Sequence, residues 1–259
     1  MFAICPLSVV PVRKEPSDRS EIVTQLLFGD LVEIQDRQDN WRKIKVLDDD
    51  YPGWVDKKQL RAIEESEVRT ILSAPRTVTL DIVQLVVWDQ HQMIPVVLGS
   101  SLPGYHDKQF KISGTAFLYE GSVTQLSKPD PVHMLEHAYM YLHAPYLWGG
   151  KSPFGIDCSG FTQMVYKLSG IRIRRDAWQQ SEQGTPVPNI QEARAGDLAF
   201  FSNDEGKVIH TGILLPGGRI MHASGRVRID ELDATGILNS DTGQLSHRLL
   251  SVRRYVNLP

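Results

Sequence analysis

Two cysteines stand in 259 residues, and one of them, Cys158, lies in "GIDCSGF" between Asp157 and Ser159. A thiol attacks a carbonyl only as the thiolate, and its ordinary pKa of about 8.5 falls at a helix N-terminus or beside an imidazolium. Downstream, Phe161, Val165 and Leu168 recur at i, i+4, i+7, which predicts a helix over "CSGFTQMVYKLSG" that Gly170 ends. Cys158 would occupy its first turn, where unpaired N–H groups and the helix dipole favour negative charge. Gly149, Gly150 and Gly155 leave room for a substrate backbone, and Gly160 keeps the floor beside the thiol open. The competing reading is a buried structural cysteine, as most free cysteines are.

The partners a nucleophilic thiol needs are His210 in "VIHTGILL" and His222 in "RIMHASG". With "LPGG" as a hairpin turn, the two imidazoles fall opposite one another to within a residue of register. Their even index sum sets them on one face. One imidazole then takes the thiol proton while the other fixes its tautomer. General-base help of this kind is worth about 10²–10⁴ in rate. Histidines set by chance in polar strand positions are the alternative. A zinc site from Cys158, His210, His222 and Asp157 lacks the close ligand pair that structural zinc sites use. His133 and His137 share a helical face, but "MLE" between them lacks the metalloprotease glutamate placement, so they read as solvated helix histidines.

The elements that must position these groups divide the chain into 1–62, 63–128 and 129–259. The first stretch alternates short apolar runs ("LSVVPV", "EIVTQL", "LVEIQD", "WRKIKV", "GWV") with turn clusters, the pattern of a small barrel or sandwich. The second opens on a weak helix, "EESEVRTILSA", followed by the strand candidates "DIVQLVVW", "MIPVVLG", "FKISG" and "TAFLYEG". The third, entered through Pro129 and Pro131, runs from helix ("VHMLEHAYMYLH") through a glycine-rich turn to the cysteine helix, then the strands "GDLAFFS", "VIHTGILL" and "RIMHASG". The expected class is α+β, with a cysteine on a helix and histidines on strands.

Composition narrows the function classes. A net charge of −3 without like-charge blocks gives neither a nucleic-acid footprint nor a polybasic membrane patch. No run of 18 apolar residues marks a spanning helix. Two cysteines make no disulfide framework, and Cys5 reads as core packing. The first residues lack a basic n-region and a clear cleavage site, so the expected location is the cytoplasm, or outside the cell if an export signal preceded them. A monomer is expected, with no cofactor and no metal.

"YLWGGKSPFGIDCSGFTQMVY", "RRDAWQQSEQG", "GDLAFF", "HTGILL" and "MHASG", in this order, resemble the NlpC family of bacterial cell-wall cysteine peptidases over about residues 130–256. "EIVTQLLFGDLVEI", "NWRKIKV" and "YPGWVDKKQL" resemble a bacterial SH3-like barrel, and 63–128 a second, divergent one. The arrangement is similar to γ-D-glutamyl-L-diamino acid endopeptidases of murein-peptide recycling. The resemblance implies a papain-like catalytic domain with Cys158 as nucleophile, His210 as general base and His222 orienting His210. It implies a substrate of the type L-Ala-γ-D-Glu-diamino acid with a free amino end, cut after the γ-linked D-Glu; the diamino acid stays open. Tyr51, Asp157 and, as a second acid, Glu21 match the groups that bind the substrate amine, because a buried ammonium needs carboxylate and hydroxyl partners. Ser159, Trp148 and Asp176 fall at pocket positions. Asp176 also stands beside Arg174 and Arg175, either able to pair with it, and Ala177 replaces the serine of some relatives, which removes one donor to the D-Glu carboxylate. The alternatives are a secreted wall hydrolase of the same family, a non-catalytic wall-binding module, and acyl transfer to an amine.

Overall fold

The structure, a computed structural model, describes residues 1–89, 92–126 and 129–255. The chain folds as two compact units: Met1–Lys128 with Trp148–Pro153, and Pro129–Leu147 with Phe154–Pro259. The segment 148–153, in the glycine-rich run before Cys158, thus belongs with the first unit.

Alternation builds the first unit. In the strand Val9–Arg13, Val10 and Val12 are buried while their neighbours are half-exposed, the period-2 signature of a one-faced strand. Seven antiparallel strands follow the order Ile22–Leu27, Val9–Arg13, Pro52–Asp56, Trp41–Val46, Leu31–Gln38, Phe2–Ile4, Arg61–Ile63. Val10, Val12, Leu26, Val32, Ile44 and Val55 fill their interior, and Cys5 packs among them, its thiol pushed up to about 12 by burial. After helix α1 (Glu65–Ser73) come a strand pair, Thr77–Thr79 with Val123–Gln125, and a four-stranded antiparallel sheet. That sheet runs in the order Gln92–Val97, Val83–Trp88, Thr115–Tyr119, Gln109–Ile112, the four strands expected from the sequence. Its core is not separate. Ile4, Phe28, Leu31 and Ile63 join Val86, Val96, Phe110 and Phe117 in one cluster, with Phe110 and Phe117 stacked at 5.1 Å.

In the second unit the first helix is shorter than expected: α2 covers Met134–Tyr139, and the chain continues as turns to His143 at φ 71°. Helix α3, Cys158–Leu168, begins on the cysteine and is buried along its length. It leaves through a left-handed Gly170 (φ 74°), with the Ile171 N–H donating to the Tyr166 carbonyl and the Gly170 N–H to that of Lys167. This double bond pattern satisfies carbonyls that a helix end otherwise strands. A short α4, Ala177–Ser181, follows. Six antiparallel strands then close on themselves in the order Leu245–Arg254, Leu198–Ser202, Val208–Leu215, Arg219–Ser224, Arg226–Leu232, Gly236–Leu238, with Thr185–Val187 on the flank of Leu245–Arg254. Helix α3 packs on the strands that carry His210 and His222.

Candidate active site

Asp157 is the N-cap of α3, its Oδ1 accepting the Gly160 N–H at 2.6 Å, and this cap sets where the helix starts. Cys158 therefore sits at the first helical position, 8% exposed. The backbone N–H groups of Thr211, the residue after His210, and of Ser159 favour its thiolate. A first-turn site does not by itself yield a thiolate here. Burial pushes the thiol up to about 12 and the charge of Asp157 adds to this, against the pull of the two N–H groups and Arg175.

His210, His222 and Asp230 form a buried chain. His210 Nε2 lies 2.8 Å from His222 Nδ1, and His222 Nε2 lies 2.8 Å from Asp230 Oδ2. The histidines are not directly opposed. The three-residue turn 216–218 pairs Leu215 with Arg219, so Gly212 faces His222 and His210 sits one diagonal step away on the same face. Gly212 makes that diagonal possible: a Cβ there would lie 2.8 Å from both His222 Cβ and Ile220 Cδ1. Gly212→Ala is expected to destabilise the protein by about 1–3 kcal/mol and to displace the imidazole pair. A thermal melt beside an activity assay checks this, and wild-type values for both would contradict it.

Burial, with His222 and His247 nearby, holds His210 well below the ordinary histidine range. His247 is a third imidazole that the sequence reading missed; its ring stacks on His210 at 4.1 Å and 22°, and its Nδ1 is 3.0 Å from Ser246 Oγ. Burial pushes His247 down to about 4. Its NMR titration is therefore expected to centre near pH 4, and an ordinary midpoint near 6.5 would show that the ring is solvated.

Asp230 was missed as well. Burial alone would raise it, but hydrogen bonds from His222, Arg228 and the Ser240 N–H outweigh that and hold the carboxyl well below its usual value. A second buried carboxylate, Asp157, is gripped by Arg175, with Nη1 to Oδ1 at 3.0 Å and Nη2 to Oδ2 at 2.7 Å. The same guanidinium donates to Ser159 Oγ at 2.9 Å and is 1% exposed. Arg175, expected among the partners of Asp176, thus holds the acid beside the cysteine.

Residues 143–246 match the NlpC/P60 family, and 12–60 match the bacterial dipeptidyl-peptidase Sh3 domain. A γ-D-glutamyl-L-lysine dipeptidyl-peptidase of Bacillus cereus is 30% identical over 258 residues, covering 88% of this chain and 75% of that one. A second, from Bacillus subtilis, is 31% identical over 220 residues, covering 78% and 72%. The chain belongs to the NlpC/P60 family. Its fold agrees with the crystal structure of an NlpC/P60 family protein from Bacillus cereus, at TM-score 0.82 and 23% identity over 99% of this chain and 100% of that one.

Within this NlpC/P60 chain, Cys158, His210, His222 and Asp230 all lie inside the matched residues 143–246, while His247 lies just outside them. Ser159 is buried beside Asp157, its Oγ 3.3 Å from Oδ1. Asp176 is the N-cap of α4, its N–H donating to Gln179 Oε1 at 3.1 Å, and Ala177 begins that helix, buried. Gln180 ties α4 to α3 by accepting from Thr162 Oγ1 and donating to the Ser159 carbonyl.

In the first unit, the structure brings two candidates together: Trp148 Nε1 donates to Glu21 Oε1 at 2.8 Å, with the indole 61% exposed. That bond, then one from Lys14, lowers the Glu21 carboxyl. Gly149 follows in close contact with the barrel, since a Cβ there would lie 2.3 Å from the Ile22 carbonyl oxygen. Tyr51 packs half-buried on the barrel core, its N–H donating to Asp49 Oδ1 at 3.0 Å. Of the two helix histidines, His133 is exposed and bonds Asp130 at 2.7 Å. His137 is not solvated but buried against Ser169 Oγ at 3.1 Å, because it faces α3.

Proposed function

We propose that the chain is a cysteine endopeptidase that hydrolyses the bond between γ-linked D-Glu and the diamino acid in small murein peptides with a free N-terminal L-Ala. The observation that carries this reading is the buried thiol at the N-terminus of α3, a helix packed on the strands of His210 and His222, with His210 in a buried chain to His222 and Asp230. The names of the two Bacillus relatives supply the substrate class.

With the thiol raised and His210 lowered, the resting pair is neutral, so the thiol proton moves to His210 as sulfur attacks the γ-amide carbonyl. The Cys158 N–H, at the helix N-terminus, is positioned to help hold the oxyanion. His210 then protonates the leaving amine, L-Ala-D-Glu remains as a thioester on Cys158, and water activated by His210 releases it. Among the remaining candidates, Tyr51, Glu21 and Asp157 are assigned to the substrate amine, and Ser159, Trp148 and Asp176 to the peptide. Ala177 offers no hydroxyl where some relatives place one. For residues 63–128 we keep the reading of a divergent SH3-like unit, supported by their hairpin-linked antiparallel strands.

Under this reading the enzyme is a cytoplasmic monomer acting on soluble peptides. Activity on free muropeptides but not on intact sacculi supports it. Release of peptides from sacculi at a comparable rate would replace it by a secreted wall hydrolase, and binding without turnover by a wall-binding module.

A further inference from the structure

We infer that Asp230 is a positioning residue that sets the proton order of both histidines, so that the site works as a relay of Cys158, His210, His222 and Asp230. The inference deepens the proposed cysteine chemistry and rests on it for the role of His210.

Asp230 is ionised, with Arg228 Nη2 donating to Oδ1 at 2.8 Å, Arg228 Nε 2.8 Å from Oδ2, and the Ser240 N–H donating to Oδ1 at 2.9 Å. A carboxylate only accepts. His222 must therefore carry its proton on Nε2, the nitrogen 2.8 Å from Oδ2. A neutral imidazole with a proton on one nitrogen has a lone pair on the other, so His222 Nδ1 accepts. The group within reach is His210 Nε2 at 2.8 Å, which must then be the protonated nitrogen of His210. Nδ1 is thereby left as the one nitrogen of His210 that can take a proton. The tautomer of the general base is thus dictated two hydrogen bonds away, by an acid on the strand Arg226–Leu232.

The carboxylate is built to stay fixed. Arg228 is itself anchored by Asp241, at 2.6 Å from Nη1, and by Asn239 Oδ1, at 3.2 Å from Nη2. Once His210 takes the thiol proton, the fixed negative charge of Asp230 stabilises the imidazolium through His222. Among the described residues, His247 stacks on the His210 ring, and it is held neutral by burial.

Asp230→Asn tests this, because the amide can donate to His222 Nε2. His222 then takes its proton on Nδ1, His210 Nε2 must accept, and Nδ1 of His210 becomes the protonated, useless nitrogen. Nitrogen-15 NMR of the imidazoles in the full-length protein reads the tautomers directly and needs no substrate. Expected are Nε2–H forms of His210 and His222 in the wild type and an Nδ1–H form of His222 in the variant. Alkylation of Cys158 by iodoacetamide, followed by peptide mass, is expected to slow at least about tenfold in Asp230→Asn. On the murein peptide, kcat is expected to fall by about 10²–10⁴ with KM unchanged.

If Asp230→Asn does not fold, Arg228→Gln, which removes the guanidinium from the carboxylate and leaves its bonds to His222 and Ser240, is expected to shift the acid limb of the alkylation–pH profile. An Nδ1–H form of His222 in the wild type, or wild-type tautomers and thiol reactivity in Asp230→Asn, would overturn the inference. Changed tautomers and thiol reactivity in a protein that cleaves no murein peptide would leave the relay standing and sink only the substrate assignment.

Discussion

Cys158→Ala is expected to lower kcat on the free-amine murein peptide by about 10⁴-fold or more, while Kd for the peptide changes by less than about threefold. The substitution removes the proposed nucleophilic atom and little else: the residue is 8% exposed, and alanine fits the same first-turn position. Asp157, Arg175 and Ser159 hold one another through bonds that do not involve the sulfur. The helix cap and the neighbouring ion pair should therefore survive, and with them the groups assigned to the substrate. Calorimetric binding with the variant, beside a stopped assay, separates the two parameters. Loss of binding together with turnover would mean that the thiol is structural, and retained turnover that another group attacks.

The second large effect falls on stability. Arg175→Met is expected to cost about 3–5 kcal/mol, because it takes the bidentate guanidinium from the buried Asp157 carboxylate. The melting midpoint should fall by roughly 10 °C or more. Asp157→Asn alone takes the carboxylate charge from the buried guanidinium, whereas the double variant removes both charges. Its loss should thus be smaller than the sum of the single losses by about 1 kcal/mol or more. The ion pair also acts on the thiol, since Asp157 raises Cys158 and Arg175 opposes it. In Arg175→Met, alkylation of Cys158 should slow even at temperatures where the protein is folded. Additive losses in denaturant melts, or unchanged thiol reactivity, would show that the pair is decorative.

Legibility followed locality. Cys158, His210 and His222 stood out because each sits in a short run whose pattern also gives the element that carries it: a 3.6-period face after the cysteine and apolar strands around the histidines. The strands of 63–128 were readable for the same reason, but the cluster joining Phe110 and Phe117 to Phe28 and Ile63 was not, since no local period encodes which core a strand enters. Asp230 depends on two successive hairpin registers. The tight turn at Gly225 pairs Arg228 with His222 and thereby brings Asp230 to His222 Nε2. An acid in "RVRIDEL" is otherwise an ordinary outward strand residue, and the adjacent Glu231 is indeed exposed. His247 reaches His210 from a strand that shifts register twice against its partners, which no spacing rule anticipates.

At Asp157 only part of the wiring is local. A carboxylate immediately before a helix is first of all a cap, and Gly160 is its partner. Its bond to Arg175, 18 residues on, needed the loop between α3 and α4 to be known. Exposure misled at the helix histidines as well, because His137 sits on the face of α2 that meets Ser169.

The most direct test of the account is mass-spectrometric product analysis of L-Ala-γ-D-Glu-meso-diaminopimelate and its lysine counterpart, each free or N-acetylated, with wild type and Cys158→Ala. The account predicts release of L-Ala-D-Glu from a free peptide by the wild type alone, with the acetylated peptides left whole. Absence of that dipeptide from every wild-type reaction, or its release by Cys158→Ala, would contradict it.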